Sequence, residues 1–332
     1  MRAAAALGAA LAALTLAGCA QLTELGLVPP GAPGQSAPRP VLRPQRDPSP
    51  VFGARLIADR RVDGVQVDVL VVGHGRVRGN MLSELKSPEA RLKPPILAFL
   101  IRHPRQGPVL FGAGLPEDLG GLGAKRVRGA ALSPFTRSKG RDLVSQLLRL
   151  GVQPGDVKTV VLPALAPEWV GRAGSFPNAT VVISSEAWYS GRKRPLEAGI
   201  PDLHAFVPEE RLKLIDFSGT PHYGPFAHAV DLFKDGTVIL VDLDGGAAGG
   251  IGMWVNTDSG PVLLTGPAAF VYDNVYDDAL PDRRFVVDVS SFAWNARAMR
   301  LAAQAVPRLV IVPAHDLSTL KIAPRPDVIL EP

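Results

Sequence analysis

Cysteine is almost absent from this chain, which has one thiol, that of Cys19, in 332 residues. A single thiol cannot form a disulfide within the chain and gives a metal no second sulfur ligand. A disulfide-held scaffold and a cysteine-based zinc module are therefore both excluded. Histidine is also scarce, with six residues. Five of these show no spacing typical of metal ligands: His74, His103, His204, His222 and His228.

Several catalytic signatures are also absent. The chain contains no Gly-x-Ser-x-Gly sequence, which would indicate a serine nucleophile at a sharp strand-to-helix turn. Ser83-Glu-Leu-Lys86 matches Ser-x-x-Lys, but the companion Ser-Asp-Asn and Lys-Thr-Gly motifs are missing. The glycine-rich run at 245–252 lacks the Gly-x-Gly-x-x-Gly spacing of a dinucleotide-binding turn. Neither a serine hydrolase nor a dinucleotide-dependent enzyme is indicated.

The N-terminus has the features of a secretory signal. Arg2 supplies positive charge, and the run from Ala3 to Ala17 is apolar but too short to span a bilayer. It ends in Leu16-Ala-Gly-Cys19, which resembles a bacterial lipobox. We therefore predict a signal peptide at residues 1–18 and a diacylglycerol on the Cys19 thiol. A plain signal peptide with a coincidental cysteine is the alternative.

Lipidation of Cys19 would place the protein in the bacterial cell envelope, anchored to a membrane. Ala20 follows the cysteine, which by resemblance to enterobacterial sorting favours the outer membrane, with the protein facing the periplasm. The chain carries a net charge of +5 and has basic clusters at 125–128 and 192–194. Nucleic acid is not an expected partner of an exported protein, whereas anionic headgroups or envelope polymers are.

The next segment, residues 19–50, predicts a tether. Its composition is biased toward proline, with glycine and serine between the prolines, and favours extended conformations over a buried core. The prolines are Pro29, Pro30, Pro33, Pro38, Pro40, Pro44, Pro48 and Pro50. No second linker of this kind follows, so we predict one folded domain at residues 51–332.

Hydrophobic patterning within that domain predicts both strands and helices. Helical periodicity at 141–150 ends at Gly151, and a second helix is expected at 293–306, before Pro307. Turn residues separate two pairs of apolar runs into hairpins, at 229–243 and 253–264. Further strands are expected at 65–72, 96–102, 109–111, 159–162 and 309–312.

One loop carries a resemblance to a known family. The strand beginning at Thr159 is followed by Pro163-Ala-Leu-Ala-Pro-Glu-Trp-Val-Gly171, a layout similar to the His-x-His-x-Asp-His loop of the metallo-β-lactamase superfamily. In that alignment the ligand positions carry Ala164, Ala166, Glu168 and Trp169. The pattern at 231–238 favours the lactonase-like branch. The resemblance implies an α/β (α+β) fold in four layers, an αββα sandwich.

Three later landmarks follow in the family's order. Gly246 stands where a metal histidine is expected, and Pro267 stands where the metal-bridging aspartate is expected. Val312-Pro-Ala-His-Asp316 resembles the closing Val-Pro-Gly-His-Asp, so His315 is kept. Gly112 replaces an aspartate that supports the metal loop in the family.

Counting donor atoms gives the prediction about activity. Zinc enzymes use about three protein ligands and an open position for water, and only Glu168 and His315 remain as donors. We therefore predict that no cofactor is bound and that zinc hydrolysis has been lost, so that the chain is a pseudoenzyme rather than an enzyme. It would act by binding a small-molecule ligand or an envelope protein.

The alternative is an active hydrolase, lactonase-like, with a rebuilt metal site. Asp242 and Asp244 lie beside the altered glycine-rich loop and could join Glu168 and His315 around a cation. The cation would be zinc by resemblance to the family, whereas an oxygen-rich set suits magnesium, calcium or manganese better. The same aspartates could instead accept backbone hydrogen bonds in the turn.

Overall fold

The structure is a computed structural model that describes residues 63–117, 119, 135–193, 203, 207–322 and 327–330, with only the backbone of 192 and 193. The predicted signal peptide, Cys19, the tether, His204 and the basic cluster at 125–128 lie outside these residues. Lipidation, export and membrane anchoring therefore stay predictions. Of the helices that are described, none is both long and apolar enough to cross a membrane.

The described part of the chain contains fourteen strands. In chain order they are β1 Gln66–His74, β2 Val77–Arg78, β3 Arg91–Leu92, β4 Pro95–His103, β5 Gly107–Phe111, β6 Thr159–Val161, β7 Thr180–Ser184, β8 Leu212–Ile215, β9 Ala229–Asp231, β10 Val238–Asp242, β11 Ile251–Thr257, β12 Gly260–Leu264, β13 Val310–Val312 and β14 Val328–Leu330.

Helices are short, with one exception. They are α1 Gly79–Leu82, α2 Leu143–Arg149, α3 Pro167–Val170, α4 Ser185–Lys193, α5 Tyr272–Tyr276, α6 Val289–Ala305 and α7 Ser318–Ile322. Four 3-10 turns accompany them, at Ala173–Ser175, Glu209–Arg211, Gly266–Ala268 and Arg283–Phe285.

The strands form two large sheets and a small ribbon. The first sheet has the order β14-β1-β4-β5-β6-β7-β8, antiparallel from β1 to β5 and parallel from β5 to β8. The second has the order β13-β12-β11-β10-β9, antiparallel except for the parallel pair β12 and β13. Strands β2 and β3 pair only with each other, in an antiparallel ribbon.

Both faces of the first sheet are buried. Successive side chains of a strand point to opposite faces, so each strand contributes to the apolar cluster on either side. In β1, Val67 and Val69 belong to the apolar cluster that fills the space between the two sheets. Leu70 and Val72 of the same strand belong to the cluster on the outer face. The chain therefore supplies near-continuous apolar runs here, as expected for strands covered on both sides.

Helices complete the outer layers. Leu143 and Leu147 of α2 pack on the outer face of the first sheet, and Ala298, Met299 and Ala302 of α6 pack on the outer face of the second. The order of layers is helix, sheet, sheet, helix. The predicted four-layer αββα class is confirmed.

The element predictions match these bounds to within a few residues at most ends. The predicted helix at 141–150 is α2, where the Asp142 side chain accepts a hydrogen bond from the Ser145 amide at 3.1 Å. The predicted helix at 293–306 begins earlier, at Val289, because Asp288 caps it through the Ser291 amide at 2.8 Å. Sequence periodicity alone did not locate that cap.

Candidate active site

Loops from both sheets meet at one edge of the sandwich, and hydrogen bonds hold them together. The amide of Ile251, which begins β11, donates to the carbonyl of Pro163 in the loop after β6, at 2.9 Å. The amide of Ala314, after β13, donates to the carbonyl of Ala269 at 2.9 Å. The chain segments singled out by the sequence therefore converge on a common site.

A cavity of about 290 Å³ opens at this edge. Its walls are mainly apolar, and large side chains contribute much of them: Met81, Leu82, Ile96, Phe135, Phe270 and Phe285. A concave, largely apolar cavity with a few polar groups is typical of a small-molecule site. This cavity, called the apolar pocket below, is the candidate active site.

Seven residues that the sequence analysis singled out line this pocket together: Ala164, Ala166, Glu168, Trp169, Gly246, Pro267 and His315. They come from four separate segments of the chain. Only Glu168 and His315 among them carry titratable side chains. The pocket therefore presents a carboxyl and an imidazole within apolar walls.

Glu168 occupies the first turn of α3, just after Pro167 at the start of that helix. Burial raises the pKa of the Glu168 carboxyl to about 7, against a smaller lowering by a hydrogen bond from its own backbone. A carboxyl with that pKa is protonated and ionised in comparable amounts near neutral pH. It can therefore accept and return a proton there, which is the requirement for a general base.

His315 is held in one orientation. Its Nδ1 lies 3.0 Å from the carbonyl oxygen of Pro95. Because a carbonyl only accepts, Nδ1 carries the hydrogen and Nε2 of the neutral ring keeps a lone pair. Burial lowers the pKa of His315, which favours that neutral form. The ring also stacks on Trp169, at 6.5 Å between centroids and 30° between planes.

Trp169 fills the floor of the pocket and requires glycine beneath it. Gly112 has a φ of 79°, and a Cβ added there would lie 2.8 Å from Cε3 of the indole. The backbone also fixes α3 in place, since the Ala113 amide donates to the Trp169 carbonyl at 2.7 Å. The position of the Trp169 indole therefore depends on glycine at 112.

Gly246 is crowded by backbone. A Cβ added there would lie 1.8 Å from the carbonyl oxygen of Pro267. Real Cβ atoms do not approach a carbonyl so closely, so any side chain at 246 would force the two loops apart. The position of the Pro267 backbone therefore requires glycine at 246.

The two aspartates expected near the site lie elsewhere. Neither Asp242 nor Asp244 lines the apolar pocket. Asp244 accepts a hydrogen bond from the Gly249 amide at 3.1 Å, as in an ordinary loop. The pKa of Asp242 is raised by burial first and then by the negative charge of Asp244. The four-residue site of Glu168, Asp242, Asp244 and His315 predicted as the alternative is therefore not assembled.

No protein-family model matches the chain. The N-acyl homoserine lactonase AttM of Azorhizobium caulinodans is 27% identical to this chain over 67% of its length and 82% of the relative. The N-acyl homoserine lactonase AttM of Rhizobium radiobacter is 28% identical over the same shares.

Solved structures give the fold. A variant of the AiiA protein of B. thuringiensis, with N-decanoyl-L-homoserine bound at its active site, superposes with a TM-score of 0.64 at 17% identity, over 79% of this chain and 97% of that one. AbOPH, a hydrolase of the β-lactamase superfamily, superposes with a TM-score of 0.55 at 16% identity, over 77% and 88%. The chain has the metallo-β-lactamase fold. The predicted resemblance to its lactonase-like branch is confirmed.

The prediction that this metallo-β-lactamase-fold chain is a pseudoenzyme, and so not an enzyme, is wrong. Relatives matched over two thirds of its length are named as lactonases, and a solved neighbour binds the product N-hexanoyl-L-homoserine at its catalytic metal centre. These findings favour an active hydrolase. Counting lost ligands was not enough, because the count does not register that burial raises the pKa of the remaining Glu168 carboxyl.

The expectation of no cofactor is likewise not supported by the neighbours. One of them, AidC, is a dizinc lactonase, with a TM-score of 0.54 and 11% identity over 80% of this chain and 90% of that one. The side chains in the pocket nevertheless do not fit a zinc pair. Two of the seven positions carry donors, and zinc sites need three or four. Among the described residues no group of three His, Cys, Asp or Glu side chains is arranged to hold a metal.

Sequence reasoning missed one wall of the pocket. Arg76, Val77 and Met81 line it from the segment around β2 and α1, and Phe285 lines it from a 3-10 turn. No ligand motif marks these positions. The alternation of basic residues in β2 and β3 was the available signal.

The packing of Gly112 against Trp169 predicts the cost of adding one methyl group. Gly112→Ala should lower the free energy of unfolding by about 1–2 kcal/mol for left-handed backbone strain and by a further ~1–3 kcal/mol for overpacking. Gly151→Ala is the matched control, because Gly151 has a φ of 75° and no atom within 4 Å of an added Cβ. Urea denaturation measures both; equal losses for the two variants would contradict the packing described.

The contact between Gly246 and Pro267 predicts a second, purely steric loss. Gly246→Ala should lower the free energy of unfolding by more than about 3 kcal/mol, the upper end of ordinary overpacking. Gly155→Ala is the control, since an added Cβ there meets its nearest atom, Asn178 Nδ2, at 3.4 Å. A Gly246→Ala protein as stable as the control would show that the two loops separate easily.

Proposed function

We propose that the chain is a hydrolase that opens a lactone or cleaves an ester bearing an apolar acyl tail. The observation that carries this proposal is the placement of Glu168, with a pKa of about 7, and His315 inside one apolar pocket. The relatives named N-acyl homoserine lactonases support the substrate class.

The walls of the pocket suit an acyl tail. Phe135, Phe270 and Phe285 line it together with Met81 and Ile96. Burying one methylene group contributes about 0.8 kcal/mol, so each two added carbons should tighten binding roughly tenfold until the cavity is full. Substrate selection is expected to depend on tail length.

The chemistry is derived from the residues that the pocket contains. Ionised Glu168 removes a proton from a water molecule as its oxygen attacks the carbonyl carbon of the lactone. The tetrahedral intermediate then collapses, the bond from that carbon to the ring oxygen breaks, and Glu168 returns its proton to the leaving oxygen. Each step conserves charge within the pocket. The product of a lactone is one hydroxy acid, and the products of an ester are an acid and an alcohol.

His315 positions the water in this scheme. Its Nδ1 donates a hydrogen bond to the Pro95 carbonyl, so Nε2 is free to accept a hydrogen bond from the attacking water. The ring stacks on Trp169 and makes a tilted contact with Phe270, at 6.0 Å between centroids, and these two contacts restrict its movement. A fixed acceptor reduces the freedom that the water must lose before attack.

No step of this scheme passes through a metal ion. General-base catalysis contributes about 10²–10⁴-fold, which is less than a metal centre adds by activating water and polarising the carbonyl. We therefore expect a slow enzyme. Its rate should respond to Glu168 rather than to zinc.

The activity should rise with pH. The ionised fraction of Glu168 increases from roughly one tenth at pH 6 to roughly nine tenths at pH 8 for a pKa of about 7. The value of kcat/KM for N-decanoyl homoserine lactone should follow that rise, after subtraction of spontaneous hydrolysis. Glu168→Gln should lower kcat by about 100-fold or more, with KM little changed.

The control is Glu209→Gln, which alters an exposed carboxyl on a distant 3-10 turn and should leave the rate unchanged. All assays are run with and without a chelator. Equal rates for the wild type and Glu168→Gln, or turnover that requires added zinc, would contradict the proposed route. Absence of turnover with lactones and with aryl esters of fatty acids would contradict the function itself.

A further inference from the structure

The ribbon of β2 and β3, together with the residue before β2 and the residue after β3, carries four cations on one face. The register pairs Val77 with Leu92 and Arg78 with Arg91. The ladder continues, because the Gly75 amide donates to the Pro94 carbonyl at 2.8 Å. Arg76 therefore lies opposite Lys93. Since side chains two residues apart share a face, all four cations project from the same side.

This arrangement is unfavourable for the ribbon alone. Arg78 and Arg91 are directly opposite, and like charges in that position repel. Both residues are exposed, as is Lys93. Of the ion pairs formed between described residues, none involves Arg78, Arg91 or Lys93. No ion pair between described residues therefore neutralises these three cations.

A second cavity, of about 450 Å³, lies against this ribbon. All four cations line it, and none of its described lining residues is Asp or Glu. One carboxylate is close by, since Arg78 makes a small contribution to the lowered pKa of Glu89, after the larger effect of the Ser87 hydroxyl. Among the described residues that line it, this cavity is therefore basic.

The basic cavity adjoins the apolar pocket. Arg76, Val77 and Met81 line both of them. The two cavities are therefore neighbours with these three residues as a common wall. A molecule whose apolar part lies in the apolar pocket would bring a charged head group close to Arg76 and the basic cavity.

We propose that the basic cavity, lined by Arg76, Arg78, Arg91 and Lys93, binds an anionic group of the substrate. The ligand is then an anionic single-chain amphiphile that carries a phosphate or carboxylate besides its acyl part. The guanidinium groups of Arg78 and Arg91 suit such a group, because each can offer two parallel N–H donors to a pair of oxygens. The choice of substrate rests on the proposed function, whereas the binding of the anion does not require turnover.

The test compares three amphiphiles of equal tail length, each below its critical micelle concentration, by isothermal titration calorimetry on the full chain. Decyl phosphate should bind at least tenfold more tightly than the neutral decyl maltoside, and decyltrimethylammonium should bind least. The preference for the phosphate should shrink as salt is raised from 0.05 to 0.5 M, because the Debye length falls from about 14 Å to about 4 Å over that range.

Substitution locates the effect. The double variant Arg78→Gln with Arg91→Gln should weaken decyl phosphate binding at least tenfold and leave decyl maltoside binding within twofold. It should unfold at the same urea concentration as the wild type or a higher one, because it removes a like-charge pair. Lys213→Gln, which alters an exposed lysine of the edge strand β8, should change neither affinity.

Equal affinity for the phosphate and the maltoside would overturn the proposal, and so would unchanged phosphate binding in the double variant. Binding to anionic vesicles without binding to monomeric decyl phosphate would also overturn it, since the ribbon would then recognise a bilayer surface. The proposed function has a separate test. Anion binding without lactone turnover would support this inference and contradict the hydrolase function. Turnover without a preference for anions would support the hydrolase function and contradict this inference.

Discussion

Close contact between two loops determines most of what this site can do. The carbonyl of Pro267 lies where the side chain of residue 246 would begin, so residue 246 has to be glycine. On the other side, the indole of Trp169 lies over Gly112 in the same way. Trp169, Gly246 and Pro267 all line the apolar pocket, so these two contacts fix part of its wall.

The chemistry of the pocket follows from those walls. Glu168 is half-buried among those walls, and burial raises its pKa to about 7. His315 is turned by Pro95 so that its free nitrogen is an acceptor. A carboxyl and an imidazole that would be unremarkable in water thus become a proton acceptor and a fixed hydrogen-bond partner. The basic ribbon beside them adds charge at one end, so the complete site distinguishes the two ends of a ligand.

Much of the fold was predictable from the sequence. The strand at 159, the hairpin at 253–264 and the strand before His315 are each marked by local pattern, and four landmarks in the right order fix their arrangement. The convergence of Glu168 and His315 followed from the same alignment. These predictions succeeded because each rests on short-range sequence features that the fold family keeps in a constant order.

Other features could not be read from the sequence. Asp242 and Asp244 are near the altered loop in sequence, but Gly246 and Ala247 line the pocket and the two aspartates do not. The pKa of Glu168 depends on apolar groups from distant segments, such as Phe270. The pairing of Arg78 with Arg91 depends on a register that two-residue strands do not reveal. The mistaken conclusion about activity had the same origin, because missing ligands are visible in a sequence and an altered environment is not.

The most direct test of this account is the titration of Glu168 itself. In protein labelled with ¹³C at the glutamate carboxyl carbons, NMR spectra recorded from pH 4 to pH 9 should contain one signal that titrates near pH 7 and is absent from Glu168→Gln. That signal should be unchanged by a chelator or by added zinc. Titration of every glutamate near the ordinary value of 4.5, or a shift of the Glu168 signal on addition of zinc, would contradict the account.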